Sequence, residues 1–168
     1  MSDEISCFAA SYLDASAAVK LVLDEPGSSN VNKYFAQRVC EITALCLAEA
    51  LGVLKRKWLK GQLSQDQYLG RCYILLAYMR GLPKRIHLDE IDLSSLDTFS
   101  EAEKFARQYN LDLSDALQLV SVKHGKFRCF VQESKTILIT ADSGLEKAAK
   151  AEGLRVWNCV SDAMPPLK

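Results

Sequence analysis

The stretch TILITADSGLEKAAKAEGLRVWN, Thr136–Asn158, reads as strand, helix and strand in succession, and it sets the reading of the rest. Thr136–Ala141 is apolar and β-branched, which predicts a buried strand. Asp142, Ser143 and Gly144 follow, and Gly144–Glu152 then predicts a helix stopped by Gly153. Leu154–Asn158 predicts a last strand. Asp142 is the residue to note: it stands where a buried strand ends.

Working outward, the same alternation recurs. Cys7–Leu13 reads as a buried strand ending at Asp14. Ser16 is placed to cap a short helix, Ala17–Leu23, that stops before Pro26-Gly27. Asn30–Gln37 reads as a helix. Val39–Thr43 reads as a second strand, leading into a helix from Ala44 to Leu59 that ends near Gly61. Ser64 and Gln67 match a capping box ahead of a helix over Gln65–Met79, ended by Gly81 and Pro83. Arg85–Ile91 is a short strand or an extended link. Ser100–Tyr109 predicts a helix closed by Asn110, and Ser114 is placed to cap the next helix, to about His124. Phe127–Lys135 is open between an extra strand, a hairpin and a loop. Met164–Lys168, with Pro165-Pro166, reads as a loose tail. Strands alternating with helices predict a three-layer α/β/α sandwich with a central, mostly parallel sheet. No repeat, low-complexity tract or linker divides the 168 residues. The expectation is a single domain over 1–168, with its core at about 6–158 and 159–168 as a C-terminal tail.

Composition excludes several classes. Half of the residues are hydrophobic (49%), a quarter are charged (25%) and the formal net charge is zero. The protein therefore does not coat nucleic acid by bulk charge, and any such binding rests on local patches. The six cysteines form no CxxC pair, and the only histidines are His87 and His124. A zinc centre is not expected from that set. Cys40, Cys46 and Cys72 sit in apolar contexts, which predicts reduced, packed thiols and a cytoplasmic setting. Met1–Ser6 lacks a signal-peptide pattern, and no apolar run reaches the ~20 residues of a membrane span.

Four acids stand where apolar segments read as core: Asp14, Glu49, Asp115 and Asp142. Buried acids are costly unless something cationic meets them. Asp14 and Asp142 fall beyond the carboxyl ends of predicted strands, where open parallel sheets bind ligands. Their ordinary alternatives are an Asx turn and a helix-start acid. Glu49 is the only charge between Ile42 and Leu54, on a helix that reads as buried nearly all round. Its alternative is a structural pair with Arg38 or Arg71. Asp115 follows Ser114 at a helix start, where an acid also serves the helix dipole. Two carboxylates at ~4 Å repel by about 4 kcal/mol at an effective dielectric near 20. If gathered, these four need a hard cation such as Mg²⁺ or Mn²⁺, and the natural chemistry is phosphodiester cleavage.

In order and context these pieces resemble the PIN domain, a metal-dependent nuclease family. They are Tyr12-Leu13-Asp14-Ala15-Ser16, Ala48-Glu49-Ala50-Leu51, Leu113-Ser114-Asp115-Ala116-Leu117-Gln118-Leu119 and Leu138-Ile139-Thr140-Ala141-Asp142, continuing into Gly144–Ala149. The resemblance spans about Ser6 to Trp157. It implies a pocket of Asp14, Glu49, Asp115 and Asp142, with Ser16 and Thr140 in support and Mg²⁺ or Mn²⁺ as the ion. It implies single-stranded or structured RNA as substrate. Among small members the chain looks most like VapC-type toxin endoribonucleases, which implies a cognate antitoxin and a homodimer. Ser143 follows Asp142 where some members carry another acid, so one or two metals fit the pattern.

Two basic clusters offer an RNA track: Lys55, Arg56, Lys57 and Lys60, and Lys123, His124, Lys126 and Arg128. Bases at helix C-termini are favourable for the dipole alone, which is the other reading. Trp58, Tyr68, Tyr73 and Tyr78 read as core or dimer surface. A phosphatase of the haloacid-dehalogenase type would carry a second Asp where Ser16 stands. A receiver domain would need adjacent early acids and a late lysine at a strand end. A family member acting in RNA processing without a toxin role, or as a catalytically silent protein-binding module, is the remaining alternative.

Overall fold

Two patterns of alternation build the middle of the molecule. In the first strand Leu13 faces one apolar cluster and Tyr12 the other; in the fourth, Ile137 and Ile139 face the first and Leu138 the second. A sheet apolar on both faces must be covered on both, which is how all-parallel sheets are stabilised. The computed structural model describes residues 11–89, 91–124 and 136–166. Its strands are β1 (Ser11–Leu13), β2 (Cys40–Thr43), β3 (Ile86–Asp89), β4 (Ile137–Thr140) and β5 (Arg155–Asn158). They lie in the order β3-β2-β1-β4-β5, and every pairing is parallel.

The helices are α1 (Ala15–Lys20), α2 (Ser28–Gln37), α3 (Ala44–Leu59), α4 (Gln65–Met79), α5 (Leu96–Tyr109), α6 (Leu113–His124) and α7 (Ser143–Ala151). Helices α1 to α4 pack on the face of Leu13, Ile42 and Ile139. Helices α5 to α7 pack on the face of Tyr12 and Leu138 through Phe105, Leu119 and Leu145. The expected three-layer α/β/α sandwich is therefore the fold, with β1 central. The chain moves from β1 outward to β2 and β3, then crosses back to β4 on the other side of β1. The connections diverge between β1 and β4, and it is beyond the carboxyl ends of strands at such a point that open parallel sheets bind ligands.

Several local expectations are met. The Ser64–Gln67 capping box opens α4. Asn110 closes α5 in a left-handed conformation. Cys40, Cys46 and Cys72 are buried free thiols. Arg85–Ile91 resolves as a strand, Ile86–Asp89. Gly27 has a positive φ of 89°, and a Cβ there would lie 2.6 Å from the Cys159 carbonyl oxygen. That close approach lets the chain after β5 turn back, so Cys159 is buried and Met164 packs against the first cluster.

Others need correction, each for a physical reason. Ser16 does not cap α1; Asp14 does, accepting the Ala17 amide, so the helix starts at Ala15 and ends at Lys20. Helix α5 starts at Leu96 instead of Ser100, because Ser95 accepts the Thr98 amide. At the start of α6 it is Asp112, and not Ser114, that takes the Asp115 amide. Helix α3 is not buried all round: Cys46, Ala50 and Leu54 are buried, Glu49 and Trp58 are half-buried, and Ala48, Lys55, Arg56 and Leu59 are exposed. Cys7–Ala10 of the first expected strand, the open stretch Phe127–Lys135, and the bases Lys126 and Arg128 lie outside the described residues.

Candidate active site

Asp14 follows β1 directly. Its amide still donates to the Ile139 carbonyl of β4 at 3.1 Å, so the residue is locked into the sheet before the helix begins. Its carboxylate is 3% exposed and accepts from the Ala17 amide (2.7 Å), the Ser16 hydroxyl (2.8 and 2.9 Å) and the Thr140 hydroxyl (2.5 Å). Each hydroxyl has one proton to give and lone pairs to receive. Ser16 Oγ receives the Ala141 amide at 2.8 Å, and Thr140 Oγ1 receives the Asp142 amide at 2.9 Å. Both protons must then point at Asp14. Burial pushes the Asp14 carboxyl up to about 6, against the lowering by Thr140, Ala17 and Ser16, with Asp142 adding to the rise.

Asp142 is exposed and caps α7, its Oδ1 accepting the Gly144 amide at 2.6 Å and the Leu145 amide at 2.9 Å. A Cβ on Gly144 would lie 3.1 Å from that oxygen, so the bare glycine leaves room for the cap. Asp115 is half-buried in the first turn of α6. Its carboxyl is pushed up to about 7, first by burial and then by the charges of Asp112, Asp142, Asp14 and Glu49. Glu49, on α3, accepts from Gln118 Nε2 of α6 at 3.4 Å. The four acids picked out in the sequence thus come from four separate elements into one electrostatic neighbourhood. None of the alternatives proposed for Glu49, Arg38 or Arg71, is its partner among the described ion pairs.

The basic residues are not gathered there. Lys55 lies over Trp58 at 3.9 Å from the ring centroid and over Tyr68 at 5.4 Å, and those two rings stack on each other at 5.1 Å. Arg56 folds back over Gly52, where a Cβ would meet its Nη1 at 3.4 Å. Lys57 pairs with Glu25 at 2.6 Å. Lys123 meets Glu152 at 3.0 Å and Glu101 at 3.5 Å, at the end of α6 remote from Asp115. Sequence reading passed over Asp112 and Gln118. Asp112 had a signal, an Asx residue three positions before Asp115; Gln118 had the weaker one of a lone amide in an apolar run.

Among the described residues no group of three or more Asp, Glu, His or Cys side chains is already arranged to hold a metal ion. The donor chemistry nevertheless fits a hard divalent cation: all four candidate side chains offer carboxylate oxygens. The carboxyls of Asp14 and Asp115 are pushed up to about 6 and about 7, first by burial and then by neighbouring acids, Asp142 being common to both. A cation would relieve that repulsion, and it could be reached from solvent through the exposed Asp142 and the half-buried Glu49 and Asp115.

A scan against protein families matches the model described as PIN domain over residues 11–151. The crystal structure of PAE2754 from Pyrobaculum aerophilum superposes with a TM-score of 0.57 at 16% identity, covering 90% of this chain and 88% of that one. FitAcB from Neisseria gonorrhoeae superposes with a TM-score of 0.54 at 14% identity, covering 90% of this chain and 99% of that one. At such identities these likenesses speak for the fold. A comparison with curated proteins found no match.

Proposed function

The chain belongs to the PIN-domain family, whose members are generally nucleases that use divalent metal ions, and on that premise we propose that it is a metal-dependent endoribonuclease acting on single-stranded RNA. The observation that carries this reading is how four acids from separate elements are tied together. Asp14 and Asp142 follow the paired parallel strands β1 and β4, and the Thr140 hydroxyl donates to the Asp14 carboxylate while accepting the Asp142 amide. Gln118 joins Glu49 of α3 to the helix that carries Asp115.

Asp14, Glu49, Asp115 and Asp142 are the proposed ligands of Mg²⁺ or Mn²⁺. Bound there, the ion would supply Lewis acidity toward a phosphate oxygen and a lowered pKa for an attacking water. The chain's own residues prepare the rest. Ser16 and Thr140 direct their protons at Asp14 and so fix its carboxylate against rotation. Asp115, pushed up to about 7 while no metal is bound, would give up its proton on taking up the cation. Lys55 and Arg56, exposed on α3 beyond Glu49, would hold phosphates of the bound strand away from the acids. Within this reading the chain acts as the toxin of a VapBC-type pair, works as a homodimer and is held in check by an antitoxin protein. The motif order, which looks most like that of VapC-type toxins, favours that role over RNA processing.

Purified protein incubated with single-stranded RNA and Mn²⁺, beside an Asp14→Asn control, tests the activity. Cleavage by the wild type alone is expected. Equal cleavage by both proteins would expose a contaminant, and silence from both across varied RNAs would favour a protein-binding module. Growth arrest on expression, relieved by Asp14→Asn, tests the toxin role; harmless expression of active enzyme would end it.

A further inference from the structure

Gln118 lies one turn after Asp115 on the same side of α6, within the otherwise largely apolar run Ala116–Val122. It is 4% exposed. A buried primary amide is costly unless its oxygen and its N–H groups find partners. Both ends of this one reach α3. Its Oε1 accepts from the Cys46 thiol, and its Nε2 donates to Glu49 Oε2 at 3.4 Å. Cys46 and Glu49 are three residues apart, so they stand side by side on α3 and present a donor and an acceptor to the same amide.

The direction of that amide follows from chemistry. Amide oxygen and nitrogen must be assigned from their partners. Burial pushes the Cys46 thiol up to about 12, so it keeps its proton and acts as a donor. The amide oxygen therefore faces sulfur, and the NH₂ group faces the carboxylate. Cys46 is itself 1% exposed and fixed at the first turn of α3, where its amide donates to Thr43 Oγ1 at 3.1 Å. The thiol orients the amide, and the amide holds the acid.

We propose that Gln118 is a positioning residue of the acid site: through the relay Cys46–Gln118–Glu49 it clamps α3 to α6 and holds the Glu49 carboxylate beside Asp115. This rests on the metal-dependent nuclease reading above. Gln118 touches neither RNA nor ion; it sets how well Glu49 is presented to them. Partners that orient metal ligands from behind typically change metal affinity or activity by about 10–100-fold when removed.

The test uses the full chain, freed of metal. Gln118→Met keeps the length and apolar fit of the side chain and removes both hydrogen bonds. Mn²⁺ uptake by calorimetry is expected to weaken about tenfold or more. The thermal midpoint without metal should fall only modestly, as expected for two lost hydrogen bonds, and RNA affinity without metal should stay at the wild-type value. With Mn²⁺, kcat should fall while KM for RNA moves little. Cys46→Ala should give a smaller loss of Mn²⁺ affinity, and Cys46→Ser, which restores a donor, should recover it. Wild-type Mn²⁺ affinity and kcat in Gln118→Met would overturn the relay and leave the nuclease standing. Should the wild type itself take up no Mn²⁺ and cut no RNA, relay and nuclease reading fall together. If Gln118→Met does not fold, the Cys46 pair decides: loss and recovery support the relay, and identical Mn²⁺ affinities in both variants overturn it.

Discussion

Helices α3 and α6 follow one charge plan and meet different fates. Each carries an acid in its first half, Glu49 in the second turn of α3 and Asp115 in the first turn of α6, and bases near its end. The starts converge: Glu49 adds to the rise of Asp115, and Gln118 reaches across to Glu49. The ends diverge. On α6, Lys123 meets Glu152 and Glu101, and His124 Nε2 meets Glu101 at 2.8 Å. On α3 only Lys57 meets a carboxylate among the described residues, while Lys55 and Arg56 stay exposed. The helix dipole favours bases at both ends equally. What separates them is whether a neighbouring helix brings up an acid: α5 and α7 do so for Lys123, whereas at the end of α3 the stretch after α1 supplies only Glu25.

The convergent starts carry the largest expected effect. Glu49→Gln and Asp115→Asn should each lower kcat/KM on single-stranded RNA with Mn²⁺ to below about 1% of wild type, the size of loss typical for a group that meets developing charge. The two helices should be equal in this. Retention of a tenth of the activity by either variant would break the symmetry and assign the site to the other helix.

Next in size is the response to pH. Asp14 at about 6 and Asp115 at about 7 still bind protons in the folded chain where the unfolded chain has released them. The folded state thus holds more protons between about pH 4 and pH 7, and metal-free stability must fall as pH rises through that window. For the fully buried Asp14 the rise from 3.8 to about 6 corresponds to roughly 3 kcal/mol. Glu25, Glu146 and Glu152 are held below their ordinary range by lysine or tyrosine partners and act in the opposite sense, only at about pH 4 and below. Denaturant unfolding of metal-free protein should show lower stability at about pH 8 than at about pH 5, and Mn²⁺ should restore it at the higher pH by binding the ionised acids. A flat profile would mean that the acids face water separately.

Much of this was legible in the chain. The Thr136–Asn158 unit and its repeats along the sequence announce the parallel sheet, and a parallel sheet with β1 central forces Asp14 and Asp142 beyond the carboxyl ends of β1 and β4. Helix starts were less legible, because Asp14, Asp112 and Ser95 compete with nearby serines for the same free amides and local sequence does not rank them. Helix α3 is less buried than its sequence suggests for a different reason. Apolar residues surround Glu49 on every side, but of the stripe Leu47, Leu51, Leu54 and Trp58 only Leu54 is buried, beside the small Cys46 and Ala50. They belong to the same cluster as Ala17 and Ala18 of α1, and close helix approach selects small side chains that a hydrophobicity reading undervalues. Gln118 was only faintly marked, as a lone amide in an apolar run, because nothing in one sequence says which neighbour an amide will find.

The smallest effects separate the divergent ends. Lys55→Ala and Arg56→Ala should each weaken RNA binding several-fold, and each should reduce the slope of log affinity against log salt by about 0.7, the value for one phosphate contact on a single strand. Measured without metal, that slope is independent of cleavage. Lys123→Ala should leave it unchanged, because its ammonium already lies between Glu152 and Glu101 and over the Phe105 ring at 4.9 Å. Its loss should appear instead as about 1 kcal/mol of stability, the upper range for a partly exposed pair. A reduced salt slope in Lys123→Ala would mean that RNA draws this lysine away from its carboxylates, and the two helix ends would then differ in degree alone.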